Sequence, residues 1–309
     1  MNILVTGGAG FIGSHLVERL SKDNKVVVLD NLLRGSKLKL NNNIKLINQD
    51  IKDIEAVKSS MDGCDVVYHL AAFLGVDEVA KNPIKTMETE TIGTFNVIHS
   101  CIENKVKKII YASTSGIYGK VDIEKAVRED FIVSPSSSYA IAKRYNEIYL
   151  KSIFQEHNID NFALRYFNIY GPRQDTRMVI PRFFNQAIKG EDIIVYGDGS
   201  QTRDFTYIED TIDATINIAK KCVGTEIINI TKGEDITILE LAKKIIKITK
   251  SNSRITLVKN PSFRVDYEVK KRFGSSQKLL NLIGKKPETS LDEGLERTFK
   301  YILENSEKN

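Results

Sequence analysis

The chain of 309 residues is poor in side chains that bind metals or cross-link, with three cysteines and four histidines. Cys64, Cys101 and Cys222 lie far apart, are odd in number and match no metal-ligand spacing. His15, His69, His99 and His157 are equally scattered. No metal site is expected, and the thiols read as buried or incidental groups suited to a reducing cytoplasm. No apolar run is long enough to span a membrane. The chain opens directly in strand pattern without a charged and then apolar leader, so no signal peptide is expected. Internal repeats and low-complexity linkers are also missing.

Charge of one sign is in small excess, +5 overall. The basic runs at Lys105, Lys107 and Lys108, and at Lys270, Lys271 and Arg272, read as solvated faces. No aromatic residues interleave the first run as a single-strand binder requires, so no nucleic-acid partner is expected. A mildly basic chain does suit an anionic small molecule such as a nucleotide diphosphate. The 41% hydrophobic content supports an extensive core.

What is present begins at the first residue. Asn2 to Thr6 reads as a buried strand, Gly7, Gly10 and Gly13 form G-x-x-G-x-x-G, and a helical run follows from Phe11 to about Lys22. A second apolar run, Lys25 to Leu29, ends on Asp30. A glycine turn lets backbone N–H groups approach a pyrophosphate, and the helix N-terminus favours its negative charge. The acid accepts from the adenosine ribose hydroxyls. This order therefore predicts a dinucleotide site.

Further strands are expected at Ile44 to Ile47, Asp65 to Leu70, Lys108 to Ala112 and Asn161 to Tyr166. Helices are expected at Ile54 to Met61, from Pro83 to Asn104, and from about Tyr139 to His157, the last capped by Ser136 or Ser137. Gly93 inside the second of these suggests close packing or a nearby cofactor. Such alternation predicts an α/β fold, a Rossmann-type doubly wound parallel sheet. Its ligands should sit beyond the carboxyl ends of the strands, where the glycine loop, Asp30, Ala71 and Thr114 would converge.

Gly171-Pro172 marks a frontier between a dinucleotide-binding domain, residues 1–172, and a smaller C-terminal α/β substrate lobe, residues 173–309, with room for later returns of the chain. In that lobe Val179 to Lys189 and Asp210 to Lys221 look helical and Ile193 to Tyr196 strand-like. Thr237 with Glu240, and Ser290 with Glu293, have capping-box spacing.

Tyr139 and Lys143 are four residues apart and share a helix face, one crossover after the hydroxyl cluster Ser113-Thr114-Ser115 at a strand end. A tyrosine titrates near 10 when free. A lysine ammonium and a positive nicotinamide ring both favour its phenolate, the form that acts as a general base. Thr114 would hydrogen-bond the same substrate oxygen. The chemistry implied is removal of a proton from a secondary alcohol while hydride departs to a nicotinamide.

Over nearly its whole length the chain resembles an extended short-chain dehydrogenase/reductase of the NAD-dependent sugar-nucleotide epimerase/dehydratase family. The resemblance rests on Thr6 to Gly13, Asp30-Asn31, Asp50-Ile51, Leu70-Ala71-Ala72 and Ser113 to Gly119. It continues through Tyr139 with Lys143, Arg165 to Arg173, and Gly197-Asp198-Gly199 through Arg203-Asp204-Phe205 to Asp210. It implies a cofactor pocket of Gly7, Gly10, Phe11, Ile12, Gly13, Asp30, Asn31, Asp50, Ile51, Leu70, Ala71 and Ala72. Asp30 would hold the adenosine ribose and Asp50 with Ile51 the adenine; Asp30 would also repel a 2′-phosphate, which favours NAD over NADP, with Arg34 nearby the opposing feature. Tyr139 would be the base and Lys143 would bind the nicotinamide ribose. Asn168, Arg203 and Arg264 would contact the substrate diphosphate. A homodimer through the helices at Pro83–Asn104 and Tyr139–His157 is also implied.

Within the family, dehydratases place Asp-Glu straight after the catalytic threonine, and decarboxylases forming UDP-xylose place Ser-Glu there. This chain has Ser115-Gly116. Glycine neither donates nor accepts a proton, whereas 4-epimerases carry small residues in this place. The resemblance therefore implies 4-epimerisation of a UDP-hexose, UDP-N-acetylhexosamine or UDP-uronate. A 4,6-dehydratase, a UDP-glucuronate decarboxylase or a non-catalytic NAD-binding regulator are the alternatives. One departure stands out: the family usually has Asn three residues before the Gly-Thr of its long helix, and here Glu90 precedes Gly93-Thr94.

Overall fold

Through Tyr166 strands and helices alternate, except where the loop at residues 31–43 joins two strands directly. The computed structural model describes residues 1–119, 125–261 and 269–306. In order come β1 (Asn2–Thr6), α1 (Phe11–Leu20), β2 (Lys25–Asp30), β3 (Ile44–Asn48), α2 (Ile54–Ser60) and β4 (Val66–His69). Then follow α3 (Val76–Lys81), α4 (Pro83–Met87), a π-helical turn at Glu88–Gly93, α5 (Thr94–Glu103) and β5 (Lys108–Thr114). A 3-10 turn at Ser115–Tyr118 leads on to α6 (Ser138–His157) and β6 (Asp160–Tyr166). Period-2 alternation sorts the side chains of these strands. In β1, Ile3 and Val5 join one apolar cluster with Leu16, Val17 and Ile212, while Leu4 joins the other with Val97, Ile98 and Leu150. Both faces of the sheet are therefore covered by helices.

The rest comprises β7 (Asn168–Tyr170), α7 (Val179–Ile188), β8 (Ile193–Tyr196), β9 (Thr202–Tyr207), α8 (Ile208–Lys221) and β10 (Thr225–Ile230). It closes with β11 (Asp235–Thr237), α9 (Ile238–Thr249), β12 (Ile255–Val258), α10 (Gln277–Ile283) and α11 (Leu291–Ser306). The large sheet has seven parallel strands in the order β10-β6-β5-β4-β1-β2-β3. The strand order reverses at β1, so the crevice for a ligand opens between the carboxyl ends of β1 and β4. After β6 the chain leaves this sheet, β7 already pairing with β9 in the smaller lobe, and it later returns, because α8 packs against α1 and β10 pairs with β6 in parallel. The smaller lobe is built from the sheet β11-β9-β7 and the parallel pair β12-β8.

Two local features differ from expectation. The helix expected from Pro83 to Asn104 runs without a gap to Glu103, but as α4, the π-helical turn and α5 rather than as one regular α-helix. The wide turn carries Glu90 inward, where it is 1% exposed. The short strands β7, β9, β10, β11 and β12 were not legible as strands, since each draws its stability from its neighbours. The caps agree better. Ser137 accepts from Ala140 N–H at 3.1 Å to start α6, and Thr237 with Glu240 forms a reciprocal capping box. Among the described residues no helix is long and apolar enough to cross a membrane.

Candidate active site

The glycine loop sits where β1 hands over to α1. A Cβ on Gly7 would lie 2.6 Å from Ala71 N, and one on Gly13 would lie 2.6 Å from Gly8 Cα. Gly7 also has φ +70°, in the left-handed region. Only glycine lets these backbones meet. Gly10 caps α1 with no side-chain hydrogen bond, and the first turn of the helix carries no acid. Its N–H groups thus suit a pyrophosphate.

At the end of β2, Asp30 accepts from Ala9 N–H at 3.0 Å and from Leu32 N–H at 2.9 Å. Burial raises its carboxyl above the usual range. Asn31 Nδ2 donates to Asp50 Oδ2 at 3.0 Å, which ties the two segments expected around the adenosine. Ile51 packs directly on Gly93, and Asn96 Nδ2 donates to the Ile51 carbonyl at 3.1 Å. Gly93 therefore serves close packing, through a residue of the expected adenine pocket. Leu70, Ala71 and Ala72 follow β4, with Ala71 N–H directed at Thr6 Oγ1 (3.3 Å). Arg34 lies 4.0 Å from Asp175.

Thr114 ends β5, and its Oγ1 accepts from Gly116 N–H at 3.0 Å. The opening of α6 packs on this turn: a Cβ on Gly116 would lie 3.3 Å from Thr114 Oγ1 and 3.7 Å from Ala140 Cβ. Tyr139, in the first turn of α6, keeps some solvent contact while its surroundings are densely packed. Burial, and then the charge of Glu90, push its phenol well above the usual value. In the chain alone these outweigh the lowering expected from Lys143.

One turn on, Lys143 is buried. Its Nζ stands 5.4 Å from the Tyr139 ring centroid and 4.6 Å from that of Tyr111. It lies 3.0 Å from Glu90 Oε2, with the two side chains 1% and 0% exposed. The approach is not that of a directed hydrogen bond, and neither Nζ nor Oε2 has a hydrogen-bond partner among the described residues. A buried ammonium with unspent donors fits a ribose diol, and the glycine cradle fits a pyrophosphate. The residues present thus suit a dinucleotide.

Around this centre lies a polar network that the sequence did not announce. His69 bridges Thr6 Oγ1 (2.7 Å) and Thr94 Oγ1 (3.0 Å), and burial holds it neutral, down to about 3. Asn146 Nδ2 donates to the Glu90 carbonyl and to Tyr111 Oη, both at 2.8 Å. Arg165 makes a two-pronged pair with Glu147, 2.8 Å on each side. Asn146 and Glu147 lie three and four residues after Lys143, so the helix period places them on the same inner face. That was the available signal.

On the substrate side, Asn168 Nδ2 donates to the Asp204 carbonyl at 3.0 Å. Arg203 Nη1 donates to the carbonyls of Thr202 (2.7 Å) and Val269 (2.6 Å). Arg264 lies outside the described residues. The run Lys270 to Arg272, read as a solvated face, needs correction at its last member. Arg272 turns inward, donates to the Gly119 carbonyl, and is pushed down to about 10 by burial and then by the neighbouring Arg203 charge.

Residues 3–231 match the NAD dependent epimerase/dehydratase family. The chain belongs to that family. It is 38% identical, over 97% of both chains, to a UDP-N-acetyl-alpha-D-glucosaminuronate decarboxylase of Bacillus cytotoxicus. Among solved structures it superposes on a UDP-glucose 4-epimerase of Thermotoga maritima, with UDP-glucose, at TM-score 0.94 and 34% identity, covering 99% of this chain and 100% of the other. A UDP-glucose 4-epimerase of Thermus thermophilus in complex with NAD matches at TM-score 0.90 and 30% identity, covering 98% and 99%. The fold and the enzyme class expected from the motifs are therefore those of the family, and NAD is its cofactor.

Proposed function

We propose that the protein inverts C4 of a nucleotide diphospho-sugar: a UDP-hexose, a UDP-N-acetylhexosamine or a UDP-uronate. The observation that carries this reading is Gly116. Its place in the turn after Thr114 is bordered by the Thr114 side chain and Ala140 Cβ. No acid stands there to protonate a leaving hydroxyl or steer a decarboxylation. The likeness to solved 4-epimerases supports the same reading.

Tyr139 takes the proton of the C4 hydroxyl, Thr114 hydrogen-bonds the same oxygen, and Lys143 orients the nicotinamide ribose. When bound, NAD supplies the acceptor and donor of the C4 hydride. The 4-keto sugar turns between the two transfers, and Tyr139 returns its proton to the opposite epimer. Gly7, Gly10, Phe11, Ile12, Gly13, Asp30, Asn31, Asp50, Ile51 and Leu70 to Ala72 hold the cofactor. Asn168 and Arg203 contact the diphosphate, joined by Arg272.

A second reading has its own support, in the decarboxylase relative at 38% identity. Incubating the holoenzyme with a panel of UDP-, GDP-, CDP- and dTDP-sugars, with mass and C4 configuration read together, separates the two. Inversion at constant mass is expected, loss of carbon dioxide supports the second, and no turnover at all refutes both. In a Tyr139→Phe variant the rate should fall about 10²–10⁴-fold, the usual share of general base catalysis.

We further propose a homodimer and a cytoplasmic setting. The outer faces of α5 and α6 expose Phe95, Ile141, Tyr145 and Ile148 side by side, and Phe95 and Tyr145 both stack on Tyr149. Such an apolar face suits a second copy of the chain. The free thiols Cys64, Cys101 and Cys222 suit a reducing compartment.

A further inference from the structure

We propose that Glu90 is a positioning residue of this site, holding the Lys143 ammonium in place and offsetting its charge beside the Tyr139 phenol. This deepens the epimerase reading and rests on Tyr139 being the base. A lone buried carboxylate is costly unless paired, and one buried beside a functional lysine is therefore a specific arrangement. Glu90 is held from three directions. Its Oε1 accepts from Phe73 N–H at 2.7 Å, its carbonyl accepts from Asn146 Nδ2 at 2.8 Å, and its Oε2 lies 3.0 Å from Lys143 Nζ. The π-helical turn at Glu88–Gly93 is what brings it inward, and such turns recur at functional sites.

The charges facing the phenol can be counted element by element. From β4, His69 is neutral. From β5 comes the Tyr111 phenol, which burial keeps protonated. From α6 come Lys143 and Glu147, the latter paired with both Arg165 of β6 and Arg144 of α6 itself. From the π-helical turn comes Glu90, whose carboxyl burial raises above its usual range while the Lys143 ammonium draws it back down. As an ion pair, Lys143 and Glu90 offset each other beside Tyr139. An Asn in that place, as the family usually has, would leave the ammonium uncompensated. Glu90 does not serve as the missing acid of a dehydratase or decarboxylase, because it is fully buried, with Oε1 accepting from Phe73 N–H and Oε2 facing the Lys143 ammonium. By holding Phe73 as well, it couples the loop after β4 to the lysine.

The test uses the NAD-loaded enzyme and compares wild type with Glu90→Gln and Glu90→Asn. Two quantities are read: the acidic limb of kcat/KM against pH, and the near-ultraviolet tyrosinate step, taken as the difference from Tyr139→Phe in each background. Unmasking the ammonium should move both to lower pH by about one unit, the usual effect of a nearby charge. A merely structural role would lower stability or activity and leave both in place. An unmoved limb and step in a variant with the wild-type circular dichroism spectrum overturns the inference. Should both neutral variants fail to fold, Glu90→Asp decides. Its shorter arm draws the carboxylate from Lys143, so the limb should move part of the way, and an unmoved limb overturns the inference there too. Retained activity in Tyr139→Phe would instead refute the underlying choice of base.

Discussion

The side chain of Ile51 fills the space that a methyl group on Gly93 would occupy: a Cβ built there would lie 2.7 Å from Ile51 Cγ1. The helix that carries Glu90 and the segment expected to face adenine are therefore fitted to each other. Gly93→Ala should push Ile51 out of place. Overpacking of this kind costs about 1–3 kcal/mol. The expected result is a lower melting temperature together with weaker NAD binding by calorimetry, because Asp50 and Ile51 move with the backbone. Equal NAD affinity in the variant would detach Ile51 from the cofactor.

Asp204 gives a pH-dependent prediction. Its carboxylate accepts from Thr231 Oγ1, from Gly233 N–H at 3.0 Å and from Gly274 N–H at 3.1 Å. Even so, burial dominates and raises its carboxyl from 3.8 to about 6. Between those values the folded chain keeps a proton that the unfolded chain releases. The group's contribution is therefore full below about 3.8 and lost as pH rises through about 6. Asp204→Asn does not titrate. The stability advantage of wild type over this variant, from urea unfolding, should shrink between about pH 4 and pH 6.5; an advantage that grows would contradict the assignment.

Asp204 also shows where sequence reading stops. Its neighbourhood in Arg203-Asp204-Phe205 was recognisable as a motif, but its role as a brace between β9, the end of β10 and Gly274 depends on contacts distant in sequence. The glycine loop, Asp30, the Tyr139–Lys143 pair and Ser137 were legible because each is local: a turn, a strand end, a helix period, a cap. Glu90 stood out only as a departure from the family's usual Asn; its burial was not legible, because it depends on the π-helical turn and on contacts distant in sequence. Arg272 hid in a charge run for the same reason. The short strands β9 to β12 hid because a strand of three to six residues is specified by its partners.

Arg203 and Arg272 bring like charges near each other, and a pair of like charges is relieved by an anion between them. Arg272→Met keeps the buried stem and removes the guanidinium. A hydrogen bond to a charged group is worth about 1.5–3 kcal/mol, so KM for the sugar nucleotide should rise about 10- to 100-fold. The kcat of the bound substrate should change far less, since Arg272 is remote from Tyr139 in the mechanism. Loss confined to kcat, with KM unchanged, would remove Arg272 from the substrate site.

The face made by α5 and α6 carries the last prediction. Ile141, Tyr145 and Ile148 follow one another at spacings of four and three, on a single stripe of α6, at 46%, 51% and 57% exposure. Phe95 of α5 lies alongside, its ring 6.3 Å from that of Tyr149 and nearly parallel to it. Charge placed at Tyr145 and Ile148 can reach water from the folded monomer, because each is about half exposed. It should prevent a second copy from covering them. Light scattering is expected to give a dimer for wild type and a monomer for the double variant Tyr145→Glu, Ile148→Glu. The melting temperature of wild type alone should then depend on protein concentration, as mass action requires of a dimer. A monomeric wild type would remove the second copy, and leave the stripe to be covered by something else.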